Sequence, residues 1–130
     1  MNNRLPKAEK LTHFGLIEAL FSKGKSFGAG PFRIFYVEHN EEDVKAPVQV
    51  VFSVPKKKFK RAVDRNRIKR LMRESYRLNK HELLELAQSR SKKWSIGLIY
   101  RSSEMPEFKE VNGKIILSLQ RLIQEINQGE

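Results

Sequence analysis

A chain of 130 residues with 39% hydrophobic and 32% charged content suits one folded domain, residues 1–130, and excludes a disordered polyelectrolyte. Lys and Arg number 26 against 15 Asp and Glu, a net charge of +11, and the absence of cysteine excludes disulfides and thiolate metal sites. No run reaches the roughly eighteen apolar residues of a membrane span, and the first ten residues lack the apolar core of a secretory signal. The expectation is a cytoplasmic protein without a membrane partner.

In chain order, "LTHFGLIEALFSKG" places Phe14, Ile17, Leu20 and Phe21 at helical spacing, with Thr12 as the expected N-cap and Gly24 as the stop. "PFRIFYVEH" alternates as a strand, with Phe32, Ile34 and Tyr36 on one face and Arg33, Phe35 and Val37 on the other. "NEEDVKAP" is a polar turn. "VQVVFSV" is a second strand, Val50, Phe52 and Val54 facing one side and Val51 and Ser53 the other, ended by Pro55. A long helix follows from "AVDRNRIKRLMRESYRL" through "NKHELLELAQSRSKK". "WSIGLIYR" is a third strand. A last helix opens near Pro106, is weakened by Asn112 and Gly113, and carries a stripe of Leu119, Leu122, Ile123 and Ile126. Interspersed strands and helices predict an α/β sandwich of helices on a small mixed sheet.

The charge is concentrated. Between Lys56 and Lys80 lie twelve basic residues and two acidic ones, Asp64 and Glu74; the rest of the chain holds 14 and 13. Self-repulsion on that scale disfavours the folded state unless a polyanion offsets it. Helical spacing puts Ile68, Leu71, Met72, Ser75 and Leu78 on the inner side. Asn66, Arg70, Arg73 and Arg77 recur at i, i+4, i+7 and i+11 on the outer side, with Lys69 and Lys80 flanking, over about 16 Å. Guanidiniums in that row can chelate successive phosphates. A solvated surface helix would interleave signs, and a membrane-surface helix would leave its apolar face uncommitted. Nucleic acid fits better than either. No helix-turn-helix context for reading DNA is evident. Ile17, Phe21, Phe35, Val51 and Ser53 are expected to line a shallow groove if the first helix packs on the sheet, and exposed aromatics beside cations suit single-stranded nucleic acid.

"RAVDRNRIKRLMRESYRL" resembles the signature of the bacterial ribonuclease P protein component, an Arg-Asn-Arg triplet followed by Lys-Arg and a further Arg. Arg65, Asn66, Arg67, Lys69, Arg70 and Arg73 match it without a gap. The resemblance runs from about Leu11 to Ile126 and includes "LFSKGKSF", "VVFSVPKK" and "IGLIYR". It implies a two-layer α/β sandwich of a four-stranded mixed sheet and three helices, with a left-handed βαβ crossover around the signature helix. It implies a protein subunit that binds a catalytic RNA through Arg61, Arg65, Asn66, Arg67, Lys69, Arg70, Arg73 and Arg77. The single-stranded 5′ leader of precursor tRNA would lie in a cleft at Ile17, Phe21, Phe35, Val51, Ser53, Lys56 and Lys57. Ile17 stands where relatives are often aromatic, and Val51 and Pro55 replace small or hydroxyl residues common in that strand. The RNA, with Mg2+ bound mainly by it, would perform the hydrolysis, and the protein would be monomeric in the holoenzyme.

The residues agree that the protein has no catalytic group of its own. His13, His39 and His81 are scattered, Glu41, Glu42 and Asp43 sit in a turn, and "GAG" at Gly28–Gly30 lacks the lysine of a phosphate loop. Metal positions are not assigned. A ribosomal-type or RNA-chaperone module is the alternative reading, and a protein-only nuclease a third. So charged a domain is also expected to gain stability from bound anions such as sulfate.

Overall fold

The computed structural model describes residues 4–129; the expected domain limits, residues 1 and 130, lie outside the described residues. A short 3-10 turn, Lys7–Glu9, precedes α1 (Phe14–Lys23), β1 (Lys25–Ala29), β2 (Phe32–His39) and β3 (Val48–Ser53). Then come α2 (Ala62–Asn79), α3 (His81–Ser89), β4 (Lys93–Tyr100) and α4 (Phe108–Gln128). The sheet order is β1-β2-β4-β3. β4 runs antiparallel to β2 and parallel to β3, so α2 and α3 form the crossover between two adjacent parallel strands. The α/β sandwich on a four-stranded mixed sheet is as expected.

One face of the sheet holds the core. Phe27, Phe32, Ile34, Tyr36, Val48, Val50, Phe52, Trp94, Ile96, Leu98 and Tyr100 are buried there. Ile68, Met72 and Tyr76 of α2, Leu83 and Ala87 of α3, and Val111, Ile115, Leu119, Leu122 and Ile126 of α4 complete it. Strict alternation in β2 and β3 is the sequence cause, since every second side chain points to the helices. The α4 stripe predicted from Leu119, Leu122 and Ile126 is buried, and Ile123 packs at its margin. Glu110 receives the N–H of Glu107 at the start of α4. Asn112, a weak helix former, is used instead as a polar bridge: its Oδ1 accepts from Ser75 Oγ at 2.8 Å and from Asn79 Nδ2 at 2.9 Å, tying α4 to α2.

Five expectations are corrected. There are four helices rather than three: the long helix divides at Lys80, whose ammonium turns inward to Glu9 at 2.7 and 2.9 Å. Lys80 therefore does not flank the cationic stripe; it is buried. Leu78 is 49% exposed, because α2 turns Tyr76, not Leu78, against Phe52. The N-cap of α1 is His13, whose Nδ1 accepts from the Leu16 N–H, rather than Thr12. β1 had no strand expected in it, since "KSFGA" offers a single large apolar residue, Phe27, to show alternation.

Gly24 closes α1 by donating its N–H to Leu20 O at 3.1 Å. A Cβ there would collide with Leu20 O and stand 3.0 Å from Tyr36 O, both fixed backbone atoms. Gly24→Ala should therefore cost roughly 2 kcal/mol of stability, read from urea unfolding; an unchanged midpoint would show that the α1–β2 approach relaxes freely.

His39 accepts the Glu41 N–H on Nδ1 at 3.1 Å, and its Nε2 is buried. Burial first, then Lys93, holds its pKa below the usual 6.5, with Glu41 opposing. A base whose folded pKa is lowered contributes stability that is complete above pH 6.5 and is lost as pH falls from there through the folded value. Between pH 7.5 and about 5.5 the wild type should lose more unfolding free energy than His39→Gln. Equal losses in both proteins would contradict this.

Candidate nucleic-acid interface

α2 presents its outer face as the periodicity requires. Asn66, Arg67 and Arg70 are exposed, and Lys69 and Arg73 are half-buried along its flank. Ile68, Met72, Ser75 and Tyr76 are buried on the opposite side. The remaining predicted cations are already engaged. Arg65 Nη1 donates to Phe59 O and Lys60 O, both at 2.8 Å, so it fastens the loop that leads into α2. Arg77 grips Glu74 through two hydrogen bonds, at 2.6 and 3.2 Å, which pull the Glu74 carboxyl below its usual range. Arg61 lies 3.7 Å from Asp64 at the surface, a weak pairing. Arg73 has the opposite environment: burial, then Arg70 beside it, pushes its pKa down. The free edge of the stripe is thus Asn66, Arg67, Lys69, Arg70 and Arg73.

The second sheet face carries the groove. Phe35, Gly97 and Val51 are paired in one row across β2, β4 and β3, and Arg33, Ile99 and Ser53 form the next row. α1 lies over the first row. A Cβ on Gly97 would meet Leu20 Cδ2 and Phe21 Cζ, each at 3.1 Å, so the glycine lets α1 approach the sheet. Phe21 meets Phe35 edge-on, ring centroids 5.0 Å apart. Ile17 lies one turn before Phe21, half-buried, as are Phe35, Val51 and Ser53. The structure thus places Phe21, Phe35 and Val51 around Gly97, with Ser53 about 7 Å further along β3. Lys56 and Lys57 are exposed in the turn after β3, on the path from Ser53 to α2.

Sequence reasoning missed three residues here. Phe14, at helical spacing with Ile17 and Phe21 but assigned no role, is 70% exposed. Arg33 shares the groove-side row, its guanidinium held by Ser26 Oγ at 2.8 Å; its parity with Phe35 was the available signal. Lys10 reaches α2 from the N-terminal segment, joining Arg73 and Lys69 around a hollow of about 200 Å³ beside Val51. No local pattern announces that. Among the described residues, no group of three or more His, Cys, Asp or Glu could hold a metal ion, and no helix is long and apolar enough to cross a membrane.

The family model for ribonuclease P matches residues 5–123, nearly the whole chain. The ribonuclease P protein component of Porphyromonas gingivalis strain W83 is 42% identical over 118 residues, covering 91% of this chain and 85% of that one. That of Chlorobaculum tepidum is 45% identical over 83 residues, 62% of this chain and 54% of the other. In structure, the RNase P protein of Thermotoga maritima superposes with a TM-score of 0.65 at 25% identity, covering 87% of this chain and 96% of that chain. The RNase P protein of Staphylococcus aureus superposes with 0.62 at 21% identity, over 88% and 96%. Fold and paired surfaces define a basic α/β protein built for nucleic acid. The chain belongs to the ribonuclease P protein component family.

The two roles within the signature separate by stability. Arg65→Ala should lower the unfolding free energy by about 1–2 kcal/mol, because two backbone carbonyls lose a charged donor. The double change Asn66→Ala and Arg70→Ala should leave it within about 0.5 kcal/mol. Thermal or urea melts decide; a stable Arg65→Ala or an unstable double variant would reject the division.

Proposed function

We propose that this chain is the protein subunit of ribonuclease P, an RNA-based endonuclease that matures the 5′ end of tRNA. The single observation that carries the reading beyond family membership is the adjacency of two unlike surfaces. A cation row on α2 lies beside an aromatic groove on the sheet, joined by Lys56, Lys57 and the hollow at Lys10, Lys69 and Arg73. The catalytic RNA would sit on Asn66, Arg67, Lys69, Arg70 and Arg73, where guanidiniums and an amide offer donors to phosphates and sugar edges. The single-stranded leader of precursor tRNA would lie along Ile17, Phe21, Phe35, Val51 and Ser53, with Lys56 and Lys57 on its phosphates. Arg61, Arg65 and Arg77 belong to the same field, but Arg65 is bonded to the Phe59 and Lys60 carbonyls and Arg77 to Glu74, while Arg61 is only loosely paired with Asp64.

Hydrolysis is assigned to the RNA and its Mg2+. The protein's contribution is differential binding: precursor has a leader to hold and mature tRNA does not. Cations along α2 neutralise phosphate repulsion as the RNA and substrate come together, which lowers the Mg2+ needed. One copy of the protein in the cytoplasmic holoenzyme is part of the same reading. A ribosomal-type module would use the α2 row and leave the groove without a ligand, so nothing in the alignment of the two surfaces favours it.

The testing experiment is cleavage of precursor tRNA at low Mg2+ by a bacterial ribonuclease P RNA, with and without this chain. Activity only with both components is expected; cleavage by the protein alone, or no stimulation of the RNA, would sink the proposal. Within that assembly Phe35→Ala should weaken precursor binding roughly tenfold, a loss of one stacked base, and leave mature tRNA binding unchanged. Equal losses for both RNAs would remove the leader from the groove. Asn66→Ala with Arg70→Ala should instead weaken binding of the catalytic RNA and flatten its salt dependence.

A further inference from the structure

β3 is an edge strand, and the chain before α1 covers that edge. Lys10 bridges to Val50 in parallel, Leu11 N donates to Val50 O at 3.0 Å, and Gln49 Nε2 donates to Ala8 O at 2.8 Å. Leu5 and Leu11 are buried, and Glu9 is held by Lys80. That is six side-chain or backbone anchors in a segment with almost no regular structure, and they fix where its cations stand. Arg4 and Lys10 are brought opposite the half of α2 that carries Arg70, Arg73 and Arg77.

Between them lies a pocket of about 430 Å³, lined by Arg4, Leu5, Lys10, Arg70, Arg73, Glu74 and Arg77. Five of the seven are cations. The lone carboxylate, Glu74, is committed to Arg77 through both oxygens. Arg73 is partly withdrawn from water with Arg70 beside it, an arrangement of like charges that costs energy until an anion enters. Lys10 and Arg73 also line the smaller hollow at Lys69, Val51 and Phe52, so the two adjoin.

We propose that the N-terminal segment and α2 together form a phosphate seat, in which Lys10 and Arg4 close over a phosphate group held by Arg70 and Arg73. The planar forks of the two arginines supply paired donors and the ammonium a point charge from the opposite wall. The seat extends the RNA-binding reading above to a segment outside the signature helix. It would hold the backbone at the turn from the α2 row into the groove. The shared chemistry is a phosphate group, either of an RNA backbone or free in solution.

The test uses the full chain. Inorganic phosphate is titrated at constant ionic strength in chloride, by calorimetry and melting, into wild type, Lys10→Gln, Lys10→Arg and, as a charge control, Lys45→Gln. Lys45 is exposed in the β2–β3 turn and lines neither hollow. Lys10→Gln should weaken phosphate binding roughly three- to tenfold with an unchanged melting point in chloride, Lys10→Arg should retain most of it, and Lys45→Gln should match wild type. Binding of a bacterial ribonuclease P RNA to the same variants then identifies the source. A parallel loss assigns the seat to RNA backbone, and a loss for inorganic phosphate alone assigns it to the free ion; both uphold the seat. Unchanged phosphate binding in Lys10→Gln, or an equal loss in Lys45→Gln, overturns it. The result is independent of the cleavage assay, since a phosphate seat can fail while the chain still stimulates the RNA, and the reverse.

Discussion

Repulsion among the cations of α2 is the constraint around which the molecule is organised. With little acid beside them on the helix, the arginines are held in one row only because the other side of α2 is fastened inward. Ile68, Met72 and Tyr76 are fully buried, and Ser75 and Asn79 meet Asn112 of α4. Burying each large side chain contributes about 1.5–3 kcal/mol, enough to hold an outward face that water alone would favour dispersing. Lys80 ends the row by turning inward, where Glu9 meets it with both side chains largely hidden. Breaking such a pair by removing one partner costs about 3–5 kcal/mol, so Glu9 anchors the N-terminal segment and the end of α2 together.

A missing side chain governs the other surface. Gly97 sits in the row between Phe35 and Val51, and its bare Cα lets Leu20 and Phe21 reach the sheet. Leu20 is thereby buried, while Phe21 stays partly exposed against Phe35. The groove is therefore built on a sheet, with Phe21 set edge-on against Phe35, and a strand bound there as proposed would meet a ring already oriented. Preorganisation of that kind lowers the ordering entropy that a flexible loop would lose on binding.

Legibility of the fold followed the length scale of the signal. β3 alternates throughout and β2 does so from Phe32 to Val37, so their faces were readable from "FRIFYV" and "VQVVFS". β1 escaped because five residues with one phenylalanine contain no period. The division of the long helix at Lys80 escaped because Asn79 and His81 are weak helix formers but not breakers, and the Glu9 that Lys80 turns to meet lies far away in sequence. Leu78 was misplaced for a related reason. Spacing defines an apolar arc, and packing against Phe52 and α4 decides which part of it is covered.

The sequence by itself determined the elements with a clear period, the two faces of each, and the outward row of Asn66, Arg70 and Arg73. These depend on repeats of 3.6 or 2 residues that a short window within each such element displays. The folded structure decided which arginines remain available, through local bonds that spacing alone does not fix: Arg65 to the Phe59 and Lys60 carbonyls and Arg77 to Glu74. It also decided the row of Phe35, Gly97 and Val51 and the meeting of Lys10 with Arg73, because register and edge covering join segments remote in the chain, and no local pattern encodes a contact made across that distance.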